Sequence, residues 1–460
     1  MTSLASGPAA NPHAPLGQRE FIVLIAALMS LQALGVDAML PALPEIGRSL
    51  NVASENTTQW VIAAYMFGFG GMQLVYGPLA DRFGRKRTII IGLLIIVVVF
   101  QSQNDRFLTS GNFVNLIVQM AATAVIAMGI VFVLLLGEID LSVGYVAGVA
   151  GVVTALLLLP DGSNEVGAAP AIVIAVLIGA SIGLLHGLLI TKLGIPSFVV
   201  TLAGLLGWNG VVLLLIGTRG TVTIQDDTII GVANDFLSDG VAWLVLALGI
   251  ALYVGVLLSG RIARAKAGLP AEPAVLLALR VVALALIGVA VVGVANEDRG
   301  VPYVFLLLTV LFILWTYVLN RTKFGRHVYA VGGSQEAARR AGINVDRVKI
   351  ACFMIASSMA ALGGIVLASR LRSVDTNAGS GSILLYSIAA AVIGGTSLFG
   401  GRGNIRSAIL GAVVIMSIDN GLGLLGLSSG TKFVVTGLVL LAAVAVDSIS
   451  RRGRENAGRA

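Results

Sequence analysis

Two acidic side chains stand where acids are costly in this chain. Glu138 and Asp140 flank Ile139 between two long apolar stretches, and carboxylates at membrane depth are rare unless they serve a purpose. They could bond the hydroxyl groups of a solute or the end of a neighbouring helix, so both are candidates for a gate or a translocation path. A structural interpretation is also open, in which Asp140 caps a helix that begins at Leu141 and Ser142 assists.

Amide and indole side chains form a second set of candidates for a solute path. Asn115 and Gln119 lie four residues apart, on one face of a predicted helix, and Trp208 precedes Asn209 near the middle of a later apolar stretch. Such amides and aromatic faces commonly bind hydroxyl-rich solutes. In membrane helices they bond between helices more often, so both interpretations stay open.

The segment from Asn320 to Lys349 is the longest basic stretch of the chain. It carries seven Lys or Arg residues against two acids, and apolar stretches flank it on both sides. An excess of Lys and Arg places a loop in the cytoplasm by the positive-inside rule. We therefore expect this segment to lie on the cytoplasmic face.

Start and stop signals predict a short helix inside that basic stretch. Ser334 can cap its N-terminus, and Glu336 falls in the first turn, where a carboxylate suits the positive end of the helix dipole. Arg339 and Arg340 fall in the last turn, and Gly342 follows as a C′ residue. Isolated helices this short are marginal, so we expect the helix to dock onto a partner. The alternative is a solvated connector whose charges only fix topology.

The elements that must position these residues are membrane-spanning helices. Hydrophobic residues make up 57% of the chain and charged residues 12%, which excludes an ordinary soluble domain. Apolar periodicity and length predict an all-α, polytopic integral membrane helical bundle of about 12–14 spans. The candidate spans are 20–41, 58–78, 88–103, 113–136, 141–159, 170–190, 196–217, 240–259, 274–294, 301–319, 350–368, 383–399, 405–426 and 431–449.

Threading these spans alternately predicts that both termini are cytoplasmic. The basic clusters at 82–87, 261–266, 321–349, 402–406 and 451–459 then fall inside, and the acidic loops near residues 161, 226–239 and 297–298 fall outside. The loop 137–140 departs from the pattern because it places two acids inside.

Several kinds of chemistry are excluded by residue types. The single Cys352 rules out a cysteine-based zinc site, and His13, His186 and His327 are too scattered for a metal cluster. The chain contains no phosphate-binding loop, no nucleophile elbow and no zinc-protease helix motif. We expect no catalytic residues, no metal and no cofactor. The net charge of +7 reports orientation in the membrane rather than binding to nucleic acid.

Residues 20–87 resemble the start of the major facilitator superfamily, in particular drug/proton antiporters of the bicyclomycin-resistance type. The resemblance rests on DAMLPALP at 37–44, on Trp60 and on GPLADRFGRKR at 77–87. That superfamily builds its substrate site between two six-span halves, and two spans cannot form it. Asp37, the acid that helps to couple protons in such antiporters, is therefore interpreted as a relic or a packing residue.

From about residue 100 to 450 the chain resembles the membrane permeases of bacterial ABC importers for sugars, of the xylose type within the ribose/xylose/arabinose/galactose group. The motifs that carry it are NDRFL at 104–108, GNFVNL at 111–116, GEIDLSVG at 137–144, GIPSFVVTL at 194–202, YAVGG at 329–333, EAARRAGI at 336–343, GGTS at 394–397 and GGRG at 400–403. The resemblance implies that the basic segment contacts an ATPase subunit. The implied coupling residues are Gly333, Ser334, Glu336, Ala337, Ala338, Arg339, Arg340 and Gly342.

The resemblance also implies a function and partners. We expect a permease that imports a pentose, with xylose first, across the bacterial cytoplasmic (inner) membrane. Its partners would be a cytoplasmic ATP-binding subunit, a periplasmic or surface-tethered sugar-binding protein, a second copy of the permease and membrane lipid, but no nucleic acid. A proton-coupled drug exporter fragment and an inactive hybrid membrane protein are the alternatives.

The two resemblances together make the chain look like a fusion, and a gene fusion or a deletion would each produce such a junction. The expected parts are a disordered cytoplasmic tail at 1–19, a two-span segment at 20–87, a seam at 88–104, a permease domain at 105–450 that contains the coupling loop 320–349, and a basic tail at 451–460. Residues 88–100 at the seam would make only about 20 Å of helix, against roughly 30 Å of hydrocarbon. That stretch could begin as an antiporter helix and end as a permease helix.

Overall fold

The structure is a computed structural model and describes residues 85–159, 166–270 and 273–440. Its helices are α1 (Arg85–Gln103), α2 (Ser110–Leu135), α3 (Val143–Leu157), α4 (Ala168–Lys192), α5 (Ser197–Ile216), α6 (Asp227–Asn234), α7 (Asp239–Lys266), α8 (Ala274–Asn296), α9 (Tyr303–Arg321), α10 (Lys323–Gly333), α11 (Gln335–Arg340), α12 (Val345–Leu371), α13 (Ser382–Ile393), α14 (Ile405–Leu424) and α15 (Ser429–Leu440). A 3₁₀ turn (Gly217–Arg219) leads into strand β1 (Thr221–Thr223), which pairs with β2 (Ser373–Asp375). The predicted spans 20–41 and 58–78 and the two predicted tails lie outside the described residues.

The predicted class, a polytopic all-α membrane protein, is confirmed. Within the described ranges eight helices are long and apolar enough to cross a membrane, namely α2, α4, α5, α7, α8, α9, α12 and α14. Helices α1, α3, α13 and α15 are apolar but shorter there. Each of the twelve candidate spans from 88–103 onward therefore overlaps one apolar helix within the described residues, of which α3 and α13 have only 15 and 12 residues.

Helix α12 lies at the centre of the bundle and packs against α2, α3 and α4. Glycines permit this close approach: a Cβ at Gly183 of α4 would collide with the Phe353 carbonyl oxygen, and a Cβ at Gly364 of α12 would collide with that of Ala147. Small residues that let helix backbones touch are typical of packing in lipid, where burial of apolar surface gives little driving force.

Burial divides the long helices into an inner bundle and an outer pair. The most apolar 18-residue window of α2 is 83% buried, whereas those of α7 and α8 are each 6% buried. Leu248, Leu252 and Leu286 of the outer pair are more than half exposed. Such apolar surface suits contact with lipid chains.

Contacts between loops agree with the predicted alternation across the membrane. On the predicted cytoplasmic side, the Gly401 amide donates to the Leu135 carbonyl at 2.8 Å, and Lys192 pairs with Asp346 at 3.1 Å. These contacts join loops that follow four different spans. We call this face the inner end of the bundle.

On the opposite side a second set of loops meets. Strands β1 and β2 pair antiparallel, and Asn104 Nδ2 donates to the Leu424 carbonyl at 2.9 Å. Arg299 Nη2 donates to Asn115 Oδ1 at 2.6 Å. We call this face the outer end, and none of these contacts joins it to a loop that the alternation places inside.

Candidate functional site

The helix predicted from capping signals is present as α11. Ser334 has extended backbone angles, and its Oγ accepts a hydrogen bond from the Ala337 amide at 3.2 Å. Glu336 lies in the first turn, and Gly342 takes the left-handed conformation, with φ 80°, that ends a helix. The start and stop residues are therefore those expected from the sequence.

Helix α11 buries one residue against the protein and leaves most of the others exposed. Ala338 is 3% exposed, whereas Gly333, Ser334, Glu336, Ala337, Arg339, Arg340 and Gly342 are at least partly exposed. Arg340 pairs with Glu336 on the surface, and exposed pairs of this kind contribute only about 0–1 kcal/mol. The charges of α11 therefore do little for the fold and stay available to a partner.

Helix α10 holds α11 in place and was not predicted. Thr322 caps it by accepting from the Gly325 amide at 3.2 Å, and Phe324, Val328 and Val331 recur on the face that packs inward. That spacing is the signal that could have revealed it. Three glycines in eleven residues weaken the helix propensity and obscure that signal.

The end of α10 is fixed to the inner end of the bundle. Tyr329 Oη donates to the Gly403 carbonyl at 2.8 Å. Burial raises the pKa of the Tyr329 phenol, so the group stays protonated and able to donate at neutral pH. A Cβ at Gly332 would collide with the Leu135 carbonyl oxygen, so the backbones of α10 and α2 are in direct contact.

Ion pairs extend this attachment into the bundle. Arg339 of α11 lies 4.0 Å from Asp346 in the first turn of α12. One turn further along α12, Lys349 Nζ bonds Glu138 Oε1 at 2.6 Å, and each of the two side chains is 14% exposed. The loop 137–140 therefore places an acid inside because a lysine of the basic segment neutralises it.

Asp140 belongs to a buried chain of hydrogen bonds. Its Oδ1 accepts from the Ser142 amide at 2.9 Å and from Ser142 Oγ at 2.6 Å. Ser142 Oγ lies 3.4 Å from His186 Nδ1, and His186 Nε2 accepts from Trp208 Nε1 at 3.1 Å. An indole nitrogen can only donate, so His186 carries its proton on Nδ1. Each group then donates to the next, from Trp208 to Asp140.

The six candidate path residues do not form one site. Asp140 and Trp208 meet through Ser142 and His186. The capping interpretation is wrong, because the helix begins at Val143 with Ser142 as its N-cap residue and no side chain caps it; Asp140 bonds Ser142 instead. The others lie apart: Glu138 pairs with Lys349, Asn115 accepts from Arg299, Gln119 accepts from Asn420 at 3.3 Å, and Asn209 is half-buried on α5.

A cavity of about 370 Å³ opens among α2, α3, α12, α13 and α14. Its polar lining comprises Gln119, Thr123, Arg370, Ser373, Asp375, Asn377, Ser380, Ser382, Tyr386 and Asp419. Tyr386 Oη donates to Asp419 Oδ1 at 3.1 Å. Of these residues only Gln119 was singled out from the sequence. The missed signal is the presence of Arg370 and Asp419 within apolar spanning helices, since such ionisable residues are usually functional.

Comparison with known proteins places these features in a family. The family model described as branched-chain amino acid transport system / permease component matches residues 112–444. The chain is 36% identical to the xylose transport system permease protein XylH of Escherichia coli K12 over 79% of this chain and 92% of that protein. It is 35% identical to the XylH of Haemophilus influenzae, with 79% and 96% covered, and 31% identical to the ribose import permease protein RbsC of E. coli K12, with 78% and 92% covered. No solved structure matches.

Proposed function

The chain belongs to the branched-chain amino acid transport system / permease component family, and from that premise we propose that it is the membrane-spanning subunit of an ATP-driven importer of pentoses. Xylose is the first candidate because relatives named for xylose are 36% and 35% identical to this chain. The relative named for ribose is 31% identical, so ribose is the second candidate. The permease lies in the bacterial inner membrane as a multi-pass protein and is not itself an enzyme.

The observation that carries this proposal is the construction of α11. The helix is capped by its own residues, presents two arginines and a glutamate to solvent, and is joined by α10 to the inner end of the bundle. A helix of six residues gains too little from its own hydrogen bonds to be stable alone. Its exposed charges and its firm support fit a surface that a cytoplasmic ATP-binding subunit pushes.

The ion pairs offer a route for that push. The exposed Arg339–Asp346 contact is weak, but it lies at the start of α12, the central helix. Lys349 of the same helix holds Glu138, and thereby the loop that leads into α3. Closure of the ATP-binding subunits would move α11, the start of α12 and this loop together, which is a hinge-type change between outward and inward access.

The sequence indicates that another subunit must supply the ATP hydrolysis. It has no phosphate-binding loop, so a separate subunit must bind and hydrolyse ATP. We propose further that a sugar-binding protein delivers the pentose at the outer end and that two copies of the permease pair in the membrane. Residues 20–87 take no part in the coupling in this proposal, and their resemblance to antiporters stays a prediction.

Uptake of labelled xylose into cells tests the proposal. Import should require the partner ATP-binding subunit, and import that persists without ATP hydrolysis would contradict the proposal.

The double variant Glu336→Ala/Arg340→Ala should keep ATP hydrolysis but lose most import, because it removes the charges that face the partner. Lys266→Ala is the matched control, since it removes an exposed cation at the inner end of α7. Equal import by both variants would disprove the coupling role of α11.

A further inference from the structure

The cavity lies at the opposite end of α12 from α11. Its wall includes Leu367, Ala368, Arg370 and Leu371 from the last two turns of that helix, whereas Asp346 and Lys349 occupy the first two. Helix α12 has 27 residues and therefore spans about 40 Å. The cavity thus belongs to the outer half of the bundle, where a solute arriving from outside would enter.

The lining combines opposite charges with neutral donors and acceptors. Asp419 accepts from Tyr386, and the guanidinium-bearing Arg370 lines the same cavity. Gln119 lies in the wall, with its carbonyl oxygen held by Asn420. Charged side chains at membrane depth normally pair with each other or face water or a substrate. A sugar presents several hydroxyl groups that each donate and accept, and this lining could satisfy them together.

The backbone beside the cavity is also irregular, because a short helix begins there. Helix α13 has only 12 residues and starts at Ser382 after Gly381, which has φ 71° and leaves the helix without a side-chain cap. Ser382 and Ile383 line the cavity. Discontinuous helices that begin inside a bundle are typical of solute sites in transporters. The cavity therefore combines an irregular backbone with ionisable side chains.

The cavity is also connected to the loop that leads from the inner end. Gly379, with φ 82°, packs its backbone against Gly144 of α3. Gly144 lies two residues after Ser142, which bonds Asp140. A movement of the loop held by Lys349 would therefore reach the wall of the cavity through the first turn of α3.

We propose that this cavity is a monosaccharide-binding site within a single protomer, in which Arg370 and Asp419 bind the hydroxyl groups of a pentose and Tyr386 positions Asp419. The inference rests on the proposed function for the choice of ligand. Its volume of about 370 Å³ falls in the range of small-molecule sites, roughly 300–1,000 Å³. A zwitterionic amino acid is the competing ligand, because an Arg–Asp pair also suits a carboxylate and an ammonium group.

Labelling of an introduced cysteine tests the site without any transport. The natural Cys352 is buried, so Ser380→Cys would supply the reactive thiol for a membrane-impermeant maleimide added outside to vesicles that carry the full chain. Saturating D-xylose should slow labelling at this position at least tenfold. Thr223→Cys, on the exposed face of β1, is the matched control and should label at the same rate with or without sugar.

A second change identifies the binding groups. Asp419→Asn, made in the Ser380→Cys chain, should abolish protection by xylose, whereas Asp227→Asn, an exposed carboxylate at the start of α6, should leave it intact. Normal labelling of Thr223→Cys in the Asp419→Asn chain shows that this variant has inserted.

The outcomes distinguish a failure of the proposed binding site from a failure of the proposed import function. If ATP-dependent xylose uptake is present but xylose does not slow labelling of Ser380→Cys, the site proposal is wrong and the function stands. Ser373 also lines the cavity, so Ser373→Cys provides a second lining thiol. The site proposal is equally wrong if neither Ser380→Cys nor Ser373→Cys reacts from outside, since the cavity would then be closed to solute. Protection by leucine but not by xylose would overturn the sugar assignment. Absence of any pentose uptake would count against the proposed function.

Discussion

Charged side chains occur at both ends of α12, but they face different surroundings. At the inner end Lys349 bonds Glu138 directly, and the two side chains are 14% exposed. At the outer end Arg370 and Asp419 line a cavity of about 370 Å³. Each end combines a cation with an acid, and of these two pairs only Lys349 and Glu138 form a direct ion pair in the part of the chain that the structure describes.

The difference indicates two separate roles for charged side chains in a membrane bundle, one structural and one in binding. A pair that is satisfied by protein fixes two elements together and carries movement between them, and its loss leaves an uncompensated buried charge. A pair that faces open space contributes little to the fold and is free to bind something polar. Substitutions at the inner end should therefore lower the stability of the permease, whereas those at the outer end should lower transport with little change in stability.

The largest effect is expected at the inner end. Lys349→Gln leaves Glu138 buried without its partner, and breaking a buried ion pair costs about 3–5 kcal/mol. The thermal unfolding midpoint of the purified permease should fall sharply, and import should be lost with it. The double variant Lys349→Gln/Glu138→Gln should recover most of that stability, because no charge remains unpaired. A double variant no more stable than the single one would show that the unpaired charge of Glu138 is not the cause of the lost stability.

A smaller effect on stability, but a clear one on transport, is expected at the outer end. Arg370→Gln should leave the unfolding midpoint nearly unchanged, because the guanidinium faces a cavity. Xylose uptake should fall roughly tenfold or more, since hydrogen bonds to charged groups contribute about 1.5–3 kcal/mol. Arg372→Gln is the matched control, since Arg372 is exposed and lies outside the lining. A fall in stability as large as that for Lys349→Gln would show that Arg370 is structural.

The smallest effect is expected from removing residues 1–84. Neither end of α12 needs these residues in the proposed mechanism, so uptake should stay within about twofold of the full chain. A twofold change corresponds to less than about 0.5 kcal/mol, since tenfold corresponds to about 1.4 kcal/mol. A cut after Gln103 should do harm, because Phe100 of α1 packs against Gly421 of α14 and stacks with Phe107. Loss of all transport on removal of residues 1–84 would show that the antiporter-like segment has been recruited.

Features with a local cause could be predicted from the sequence. Apolar runs of sufficient length predicted the spans, and the bonds that cap α11 lie within four residues of each other. In each case the physical reason is contained in a short stretch of chain.

Features that depend on distant residues could not be predicted. The anomalous acid Glu138 finds its partner 211 residues away, and no local pattern identifies that lysine. The cavity draws Gln119, Arg370 and Asp419 from three different helices. The sequence shows that each is polar within an apolar run, but only the packing of α12 against its neighbours brings them to one space.

The hydrogen bond between Trp208 and His186 has an optical consequence. An indole whose N–H is held by a buried imidazole emits in a different environment from Trp243, which is 40% exposed on the outer pair. The same imidazole faces Ser142 in the loop that leads into α3, so a shift of that loop would alter the emission of one particular tryptophan. The permease thus contains its own fluorescent reporter of the loop that leads into α3.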